Sequence, residues 1–381
     1  MTPPLKIVIF GLSITSSWGN GHATTYRSLV RELSKRGHDV LFLERDTPWY
    51  RANRDLLWPC ASHGHAELYR DLNDLKERFS HDVREASFVM VGSYVPEGCA
   101  LGRWVLDTAN GARAFYDIDT PVTMAKIKRG DCEYISPELI RRYDLYLSFT
   151  GGPITEYIEK RWGSPMSRPL YCSADPEVYY PCKKKKDWDI GYLGTYSDDR
   201  QPILEKLMLD PARKLGDRRF IVAGALYPAA LRWPHNVRRV EHLPPSAHRD
   251  FYNSVRFAFN VTRADMVRTG YSPSVRLFEA ASCGTPIISD YWEGLDRLFR
   301  PGLEILISNG PRDTIRYLNE ITEDERRKIG ERARMKVLSG HTAAHRVDQL
   351  EGYMREALKR RGMNGRERAY KRDQKHAVLK P

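Results

Sequence analysis

Cysteine is scarce in this sequence, and its spacing indicates neither a metal centre nor a disulfide framework. The six cysteines, at positions 60, 99, 132, 172, 182 and 283, include no C-x-x-C pair. Disulfide frameworks belong to small secreted domains, whereas this chain has 381 residues. We therefore expect a reduced, cytoplasmic protein without a metal site.

Long apolar runs are also absent. No segment approaches the roughly 18 consecutive apolar residues of a membrane-spanning helix. The first residues, MTPPLKIVIFG, contain one lysine and only a short apolar run that is typical of a strand. The sequence therefore predicts neither a signal peptide nor a transmembrane helix.

Basic residues exceed acidic ones, 61 to 49, which gives a net charge of +12. Part of this excess lies in Lys183–Lys186 and in the segment after Lys359. Blocks of like charge are usually solvated, so we interpret the lysine run as an exposed loop; an anionic acceptor or a membrane surface is the open alternative. Because no nucleic-acid-binding motif is present, nucleic acid is not an expected partner.

The length and the order of apolar segments predict two α/β domains. A chain of 381 residues, 41% of them hydrophobic, is long for a single core. Strands such as Leu5–Phe10 and Ala112–Ile118 alternate with helical patterns in the first half, and Asp189–Leu193 and Phe220–Ala223 restart the alternation in the second. This order favours two doubly wound, Rossmann-like domains.

The most informative stretch is 270–290, GYSPSVRLFEAASCGTPIISD. Pro273 suits a first helical turn, Arg276 and Glu279 are three apart on one helical face, and Gly284 suits a left-handed stop. A helix start can bind phosphate, and a carboxylate can accept hydrogen bonds from both hydroxyls of a ribose. The pattern thus predicts a nucleotide diphosphate site, with an exposed Arg-Glu surface pair as the alternative.

This stretch resembles the nucleotide-sugar motif E-A-x-A-x-G-x-P of GT-B glycosyltransferases, in the FEA…CGTP form shared by family 4-like and spore-maturation-type enzymes. The resemblance implies that Glu279 binds the donor ribose and that the following turn lies near the diphosphate. The chain departs from the pattern at Tyr271, where many family 4 enzymes have a second glutamate. The donor-binding residues predicted in this half are Gly194, Arg200, Gly224, Arg263, Gly270, Tyr271, Ser272, Ser274, Arg276 and Glu279.

Other donor predictions rest on turns and loops that follow predicted strands. Arg200 ends the turn GTYSDDR and could pair with phosphate through two nitrogens, although an exposed surface cation is an equal alternative. Residues 264–274 follow a predicted buried strand, and we expect them to form a loop that holds the donor.

The first loop, GLSITSSWGNG, leads into a helix predicted over His22–Arg36. A histidine at a helix start has a lowered pKa, so His22 could be neutral and accept a proton. Glu44 at the end of the next strand raises the alternative of a dinucleotide fold, but the G-x-G-x-x-G fingerprint does not fit. The segment instead resembles the first loop and helix of GT-B enzymes, which implies that His22 and the acceptor-binding residues Ser16, Ser17, Trp18 and Asn20 line the cleft.

The strand ending in YDIDTP carries Asp117 and Asp119 in a D-x-D arrangement. In GT-A glycosyltransferases such a pair holds a metal ion, which is one alternative here. The element DTP recurs in spore-maturation-type sequences, and this resemblance implies that Asp119 is a catalytic cleft residue. Helix capping by Asp119 is the other alternative. We expect Asp117 and Thr120 to contact the acceptor.

The resemblance also sets the expected domains and function. The segment PLYCSADPEVYYP, with Asp175, resembles the GT-B interdomain linker. It implies an acceptor domain over 1–175, a nucleotide-sugar domain over 176–361 whose last helix returns to the first domain, and a basic, disordered tail over 362–381.

The expected activity is transfer of a sugar from a nucleotide diphosphate sugar to an unidentified acceptor, for which an anionic molecule is one alternative. Retention of configuration is expected, and no metal or other cofactor is expected. A GT-B-fold nucleotide-sugar epimerase and a non-catalytic nucleic-acid-binding protein are the alternatives.

Overall fold

Two parallel β-sheets organise the chain, one in each half. The structure is a computed structural model that describes residues 3–19, 21–56 and 64–378, with side chains as far as residue 362. The first sheet has the strand order β3-β2-β1-β4-β5-β6-β7, and the second has the order β10-β9-β8-β11-β12-β13. In both sheets the order reverses beside the first strand, which is the doubly wound arrangement.

The first sheet consists of β1 (Lys6–Gly11), β2 (Asp39–Arg45), β3 (His65–Tyr69), β4 (Phe88–Gly92), β5 (Ala112–Asp117), β6 (Leu145–Ser148) and β7 (Ser167–Pro169). Its helices are α1 (His22–Lys35), α2 (Pro48–Arg51), α3 (Leu72–Glu85), α4 (Gly98–Thr108), α5 (Thr120–Arg129), α6 (Pro137–Arg142) and α7 (Pro153–Trp162).

The second sheet consists of β8 (Trp188–Leu193), β9 (Phe220–Ala223), β10 (Val237–Val240), β11 (Val255–Asn260), β12 (Ile287–Ser289) and β13 (Leu306–Ile307). Its helices are α8 (Gln201–Leu204), α9 (Asp210–Lys214), α10 (Pro245–Ser254), α11 (Ala264–Thr269), α12 (Val275–Ser282), α13 (Leu295–Leu298), α14 (Pro311–Glu320), α15 (Glu323–Leu338) and α16 (Ala343–Val378). A π-helical turn, Glu205–Leu209, joins α8 to α9.

Both faces of each sheet are buried, because successive side chains of a strand enter different cores. In β1, Ile7 and Ile9 belong to one hydrophobic cluster, and Val8 and Phe10 belong to another. A strand covered on both sides must be apolar along its whole length. This is why the central strands could be recognised in the sequence as short continuous apolar runs.

Several elements differ from the sequence prediction. The segment 264–274, expected to be a loop, contains helix α11, and α12 begins at Val275 with Ser274 as its N-cap rather than at Pro273. Gly284 has φ 69°, which confirms the predicted left-handed stop. Helix α16 continues beyond the predicted end at Arg361 into the segment expected to be disordered, since that segment contains no proline before its end and is rich in helix-favouring Arg and Lys.

Helix α16 contacts the first domain through paired side chains. Arg36 donates to Asp348 at 2.6 Å, and His38 lies 3.1 Å from a carboxylate oxygen of Glu351. Near the end of the described side chains, Arg361 donates to the carbonyl of Asn110 at 2.9 Å. These contacts fix the second half of the chain against the first.

Of the helices in the described part of the chain, none combines the length and apolar character that crossing a bilayer requires.

Candidate active site

A cleft of about 330 Å³ lies between the two sheets. Its walls include the loops that follow β1 and β5 of the first sheet and β8, β9 and β11 of the second, together with helices α10 and α12. These loops leave the carboxyl ends of parallel strands, which is where open α/β sheets bind ligands. The predicted site residues that line the cleft are Ser17, His22, Asp119, Gly194, Arg200, Gly224, Arg263, Ser274, Arg276 and Glu279.

Helix α12 brings Arg276 and Glu279 to the cleft, where both are almost fully buried, with exposures of 8% and 2%. The Arg276 guanidinium donates to the carbonyl of Leu193 at 2.6 Å and to Oδ1 of Asn260 at 2.8 Å. It also lies 5.0 Å from the ring centre of Tyr192. The alternative of an exposed Arg-Glu surface pair is therefore wrong.

The Glu279 carboxylate is surrounded by side chains of α10. The Tyr252 hydroxyl donates to Oε2 of Glu279 at 3.1 Å, and Nδ1 of His248 lies 4.0 Å from the same oxygen. All three residues line the cleft. Glu279 thus presents hydrogen-bond acceptor oxygens at the cleft wall.

Two arginines present hydrogen-bond donors in the same half of the cleft. Arg200 is half-buried and donates through Nη2 to the Thr195 carbonyl at 2.7 Å, so it is not a free surface cation. Arg263 lies 3.4 Å from Oδ2 of Asp119 in the other domain. Within the described residues, the buried Nε of Arg200 has no hydrogen-bond acceptor, and that of Arg263 makes no hydrogen bond but lies 3.7 Å from the Asp199 carboxylate. Since buried donors are normally paired, the Arg200 guanidinium in particular suits an anion in the cleft.

Gly224 must be small because its backbone touches that of Gly194, and a Cβ at Gly194 would meet the side chains of Tyr192 and Arg276. Gly224 has φ 154°, and a Cβ added to it would lie 2.0 Å from the Gly194 carbonyl oxygen. The contact brings the ends of β8 and β9 together at the cleft floor.

Asp119 faces the cleft from the end of β5. Its Oδ2 accepts from the Tyr94 hydroxyl at 3.0 Å and from Arg263 at 3.4 Å. Asp119 is the N-cap residue of α5, but its side chain makes no capping hydrogen bond, so the capping alternative is wrong. Tyr94 has φ 64°, a strained value for a non-glycine residue of the kind often found at functional sites.

His22 begins α1 and packs against Tyr94, with ring centres 5.5 Å apart. Burial lowers the pKa of His22, and the nearby Asp119 carboxylate opposes that shift. The predicted direction is therefore correct, but its main cause is burial rather than the helix terminus. A neutral imidazole beside a carboxylate can accept a proton or donate a hydrogen bond.

Part of the chain is similar in sequence to a known protein family. Residues 200–352 match a family model described as Glycosyl transferase-like. No curated protein matches the chain by sequence.

Three similar solved structures illustrate the likeness. Sucrose-phosphate synthase from Thermosynechococcus elongatus is 14% identical, with a TM-score of 0.68 over 92% of this chain and 99% of that one. HepE from Anabaena, solved with UDP and glucose, is 11% identical, with a TM-score of 0.69 over 92% of this chain and 100% of that one. An alpha-glucosyltransferase solved with UDP-glucose and DNA is 14% identical, with a TM-score of 0.69 over 91% of this chain and 98% of that one.

These superpositions span both sheets and the cleft between them. The chain has the GT-B fold. Its two Rossmann-like halves correspond to the fold class predicted from the sequence.

In this GT-B cleft, the two aspartates of the D-x-D pair occupy different environments. Asp117 is fully buried and accepts from Tyr146 at 2.5 Å and from Thr123 at 2.7 Å. Thr120 is also buried and contacts Ser148 at 2.9 Å. Asp117 and Thr120 therefore do not line the cleft, contrary to their predicted role in acceptor binding. In the described part of the chain, no cluster of three or more His, Cys, Asp or Glu side chains could hold a metal ion.

Asp117 should make stability depend on pH. Burial raises the pKa of Asp117 from 3.8 to about 6. Between these pH values the folded state keeps a proton that the unfolded state has lost. The stability that Asp117 contributes to the folded state therefore falls as pH rises from about 4 to 6. The asparagine in Asp117→Asn cannot ionise. We therefore expect the free energy of unfolding of this variant, relative to that of wild type, to rise by about 2 kcal/mol between pH 4.5 and pH 7.5.

Chemical unfolding of both proteins at the two pH values measures this gain. Asp131→Asn, which changes a largely exposed carboxylate, serves as the control and should show no such trend. A difference between Asp117→Asn and wild type that is independent of pH would contradict the assignment.

The predicted donor residues Tyr271 and Ser272 lie at the contact between the two GT-B domains, and Gly270, which lies beside Glu293, is also outside the cleft lining. The Tyr271 carbonyl accepts from the Gly151 amide at 3.0 Å, and the Ser272 hydroxyl lies 2.7 Å from that of Thr150. The Tyr271 ring occupies the space beside Gly152 and Gly294. Tyr271 therefore fills an interdomain contact at the position where many family 4 enzymes have a glutamate.

The residues of the predicted acceptor loop also differ in whether they line the cleft. Ser17 lines the cleft and pairs with Asp55, whereas Ser16 is buried and donates to the carbonyl of Asn53 at 2.7 Å. Trp18 reaches across to the second domain, where its ring lies 4.3 Å from that of His242. Asn20 lies outside the described residues.

The sequence prediction missed Tyr94, His248, Tyr252 and Asn260. Tyr94 and Asn260 lie at or just beyond strand ends, so the rule that ligands bind at carboxyl ends of strands could have found them. His248 and Tyr252 are four residues apart on α10, a spacing that indicates a shared helix face but not which partner that face meets.

Proposed function

We propose that the protein is a glycosyltransferase that moves a sugar from a nucleotide diphosphate sugar to an acceptor in the cleft. The observation that carries this proposal is the division of the cleft. Buried Glu279 and the arginines Arg200 and Arg263 lie on the second domain, and His22 and Asp119 lie opposite them on the first. The Glycosyl transferase-like match over residues 200–352 falls on the half that would hold the donor.

Glu279 would bind the donor ribose, and Arg200 and Arg263 would bind its diphosphate. A carboxylate accepts hydrogen bonds from a diol, and guanidinium groups donate to phosphate oxygens. Arg276 is already committed to Leu193 and Asn260, so its role would be to support the donor site. The complexes of HepE with UDP and of an alpha-glucosyltransferase with UDP-glucose favour a UDP-sugar as the first donor to test.

The acceptor would bind on the first domain, over 1–175, and the donor on the second, over 176–361. His22 would act as a base or as a hydrogen-bond donor to the sugar, and Asp119 would contact sugar or acceptor. We also propose retention of the anomeric configuration and membership of the family 4-like, spore-maturation-type enzymes, on the basis of the FEA…CGTP stretch. The anomeric configuration of the product, determined by NMR, tests retention.

Metal-independent catalysis is part of the proposal. Arg200 and Arg263 can offset the charge that develops on the leaving diphosphate, as preorganised cations do in other active sites. We therefore expect turnover to persist in excess EDTA. Loss of turnover in EDTA that manganese restores would contradict this part of the proposal.

The activity is tested by incubating the protein with UDP-, GDP- and ADP-sugars, with and without cell extract, and measuring release of the nucleoside diphosphate. We expect release with one nucleotide class, stimulated by an acceptor in the extract. No release from any donor would refute the proposed activity. Conversion of the sugar while it stays attached to the nucleotide would identify an epimerase instead.

A further inference from the structure

A carboxylate that accepts hydrogen bonds from two ribose hydroxyls must be held in one orientation. Glu279 is 2% exposed, and Tyr252, which donates to its Oε2 at 3.1 Å, is 1% exposed. The buried Tyr252 hydroxyl therefore helps to fix the orientation of the Glu279 carboxylate. Tyr252 is not part of the FEA…CGTP stretch, since it lies on α10, 27 residues before Glu279.

Helix α10 places a second side chain near the same oxygen. His248 lies one turn before Tyr252, and its Nε2 is 3.0 Å from the Leu243 carbonyl oxygen. Because a carbonyl only accepts, Nε2 must carry the hydrogen of that bond. The other ring nitrogen, Nδ1, lies 4.0 Å from Oε2 of Glu279 and 3.4 Å from the Tyr179 hydroxyl.

Tyr179 belongs to the segment between the two sheets and is 5% exposed. Burial, followed by the charge of Glu279, raises the pKa of both Tyr179 and Tyr252 well above its ordinary value. Both phenols are therefore neutral near pH 7, and each can donate a hydrogen bond.

We propose that Tyr252 is a positioning residue for the donor ribose, acting through Glu279. A carboxylate offers about four acceptor positions. The Tyr252 hydroxyl occupies one position on Oε2 and leaves Oε1 and the cleft side of the group for the ribose hydroxyls. His248 and Tyr179 close the protein side of the carboxylate. This inference rests on the proposed role of Glu279 in the donor site.

The test compares a ribonucleotide with an analogue that lacks both ribose hydroxyls. Wild type, Tyr252→Phe and Glu279→Ala are titrated by calorimetry with UDP and with 2′,3′-dideoxy-UDP, and the guanosine and adenosine pairs are run in parallel. We expect Tyr252→Phe to weaken binding of the ribonucleotide about tenfold and binding of the dideoxy analogue less than about twofold, since a misplaced Glu279 matters only to the hydroxyls. Equal losses for both ligands, or no loss for either, would overturn the inference.

Tyr317→Phe is the matched control. It removes a tyrosine hydroxyl that donates to the Ile307 carbonyl at 2.8 Å, outside the cleft lining. It should change neither affinity, and a loss equal to that of Tyr252→Phe would overturn the inference. If wild type prefers the ribonucleotide and loses that preference in Glu279→Ala but not in Tyr252→Phe, the inference fails while the donor site stands. If wild type binds none of the nucleotides, the proposed function fails as well.

Discussion

Replacing His22 with alanine is expected to lower kcat by about 10²-fold or more while leaving the affinity for the nucleotide diphosphate nearly unchanged. The first domain supplies His22 and Asp119 to the cleft, and the second supplies Glu279, Arg200 and Arg263. The lowered pKa of His22 keeps its imidazole neutral near pH 7, so it can accept a proton or donate to the sugar. Either role acts on the reacting groups rather than on the nucleotide.

Turnover and the nucleotide dissociation constant are measured on the same preparation of His22→Ala. His65→Ala, which removes a histidine with a 57% exposed side chain from β3 of the same domain, is the control and should change neither value. Equal losses of turnover and nucleotide affinity in His22→Ala would mean that His22 supports folding or donor binding, and the cleft role would be wrong.

Glu279→Ala has the second large expected effect, a tenfold to hundredfold loss of nucleotide affinity. Hydrogen bonds that involve a charged group contribute about 1.5 to 3 kcal/mol each. Removing the carboxylate takes away the proposed ribose acceptor and leaves the Tyr252 hydroxyl without its partner. Isothermal titration with the nucleotide diphosphate measures the loss.

Glu279→Gln separates charge from shape, because it keeps the size of the side chain but replaces one acceptor oxygen with a donor. We expect it to weaken binding nearly as much as Glu279→Ala, with an unchanged melting temperature. Glu304→Gln alters another buried glutamate of the same domain, one that pairs with Arg300 outside the cleft, and should leave nucleotide affinity intact. Wild-type affinity in a folded Glu279→Ala protein would remove the ribose assignment.

The parts of the site that could be predicted are those fixed by local sequence. The FEA helix has Ser274 at its N-cap position and ends at a left-handed glycine, so the helix and the face shared by Arg276 and Glu279 follow from neighbouring residues. The predicted start of that helix, at Pro273, was two residues too early. The helix begins at Val275, and Ser274 is its N-cap residue.

Asp117 shows why the D-x-D pattern misled. Residues two apart share a face only while the strand continues. Here β5 ends at Asp117, and Asp119 has φ −142° and ψ 48°, outside strand geometry. The turn leaves Asp117 beneath Tyr146 in the core and sends Asp119 into the cleft.

Tyr94 and Tyr252 could not be assigned from sequence, since their roles depend on which elements fold against them. Tyr94 meets Asp119 only because β4 and β5 are neighbours in the sheet, and Tyr252 meets Glu279 only because α10 lies against α12. Strand β3 was also missed, because an edge strand with half-buried residues lacks the continuous apolar run of the central strands.

The central claim is that donor binding and acceptor-side chemistry are divided between the two domains. The most direct test is the nucleotide dissociation constant, measured by isothermal titration for wild type, His22→Ala and Glu279→Ala side by side. We predict that His22→Ala binds within about twofold of wild type and that Glu279→Ala binds at least about tenfold more weakly. Weaker binding in His22→Ala equal to that in Glu279→Ala, or unchanged binding in both, would contradict the claim.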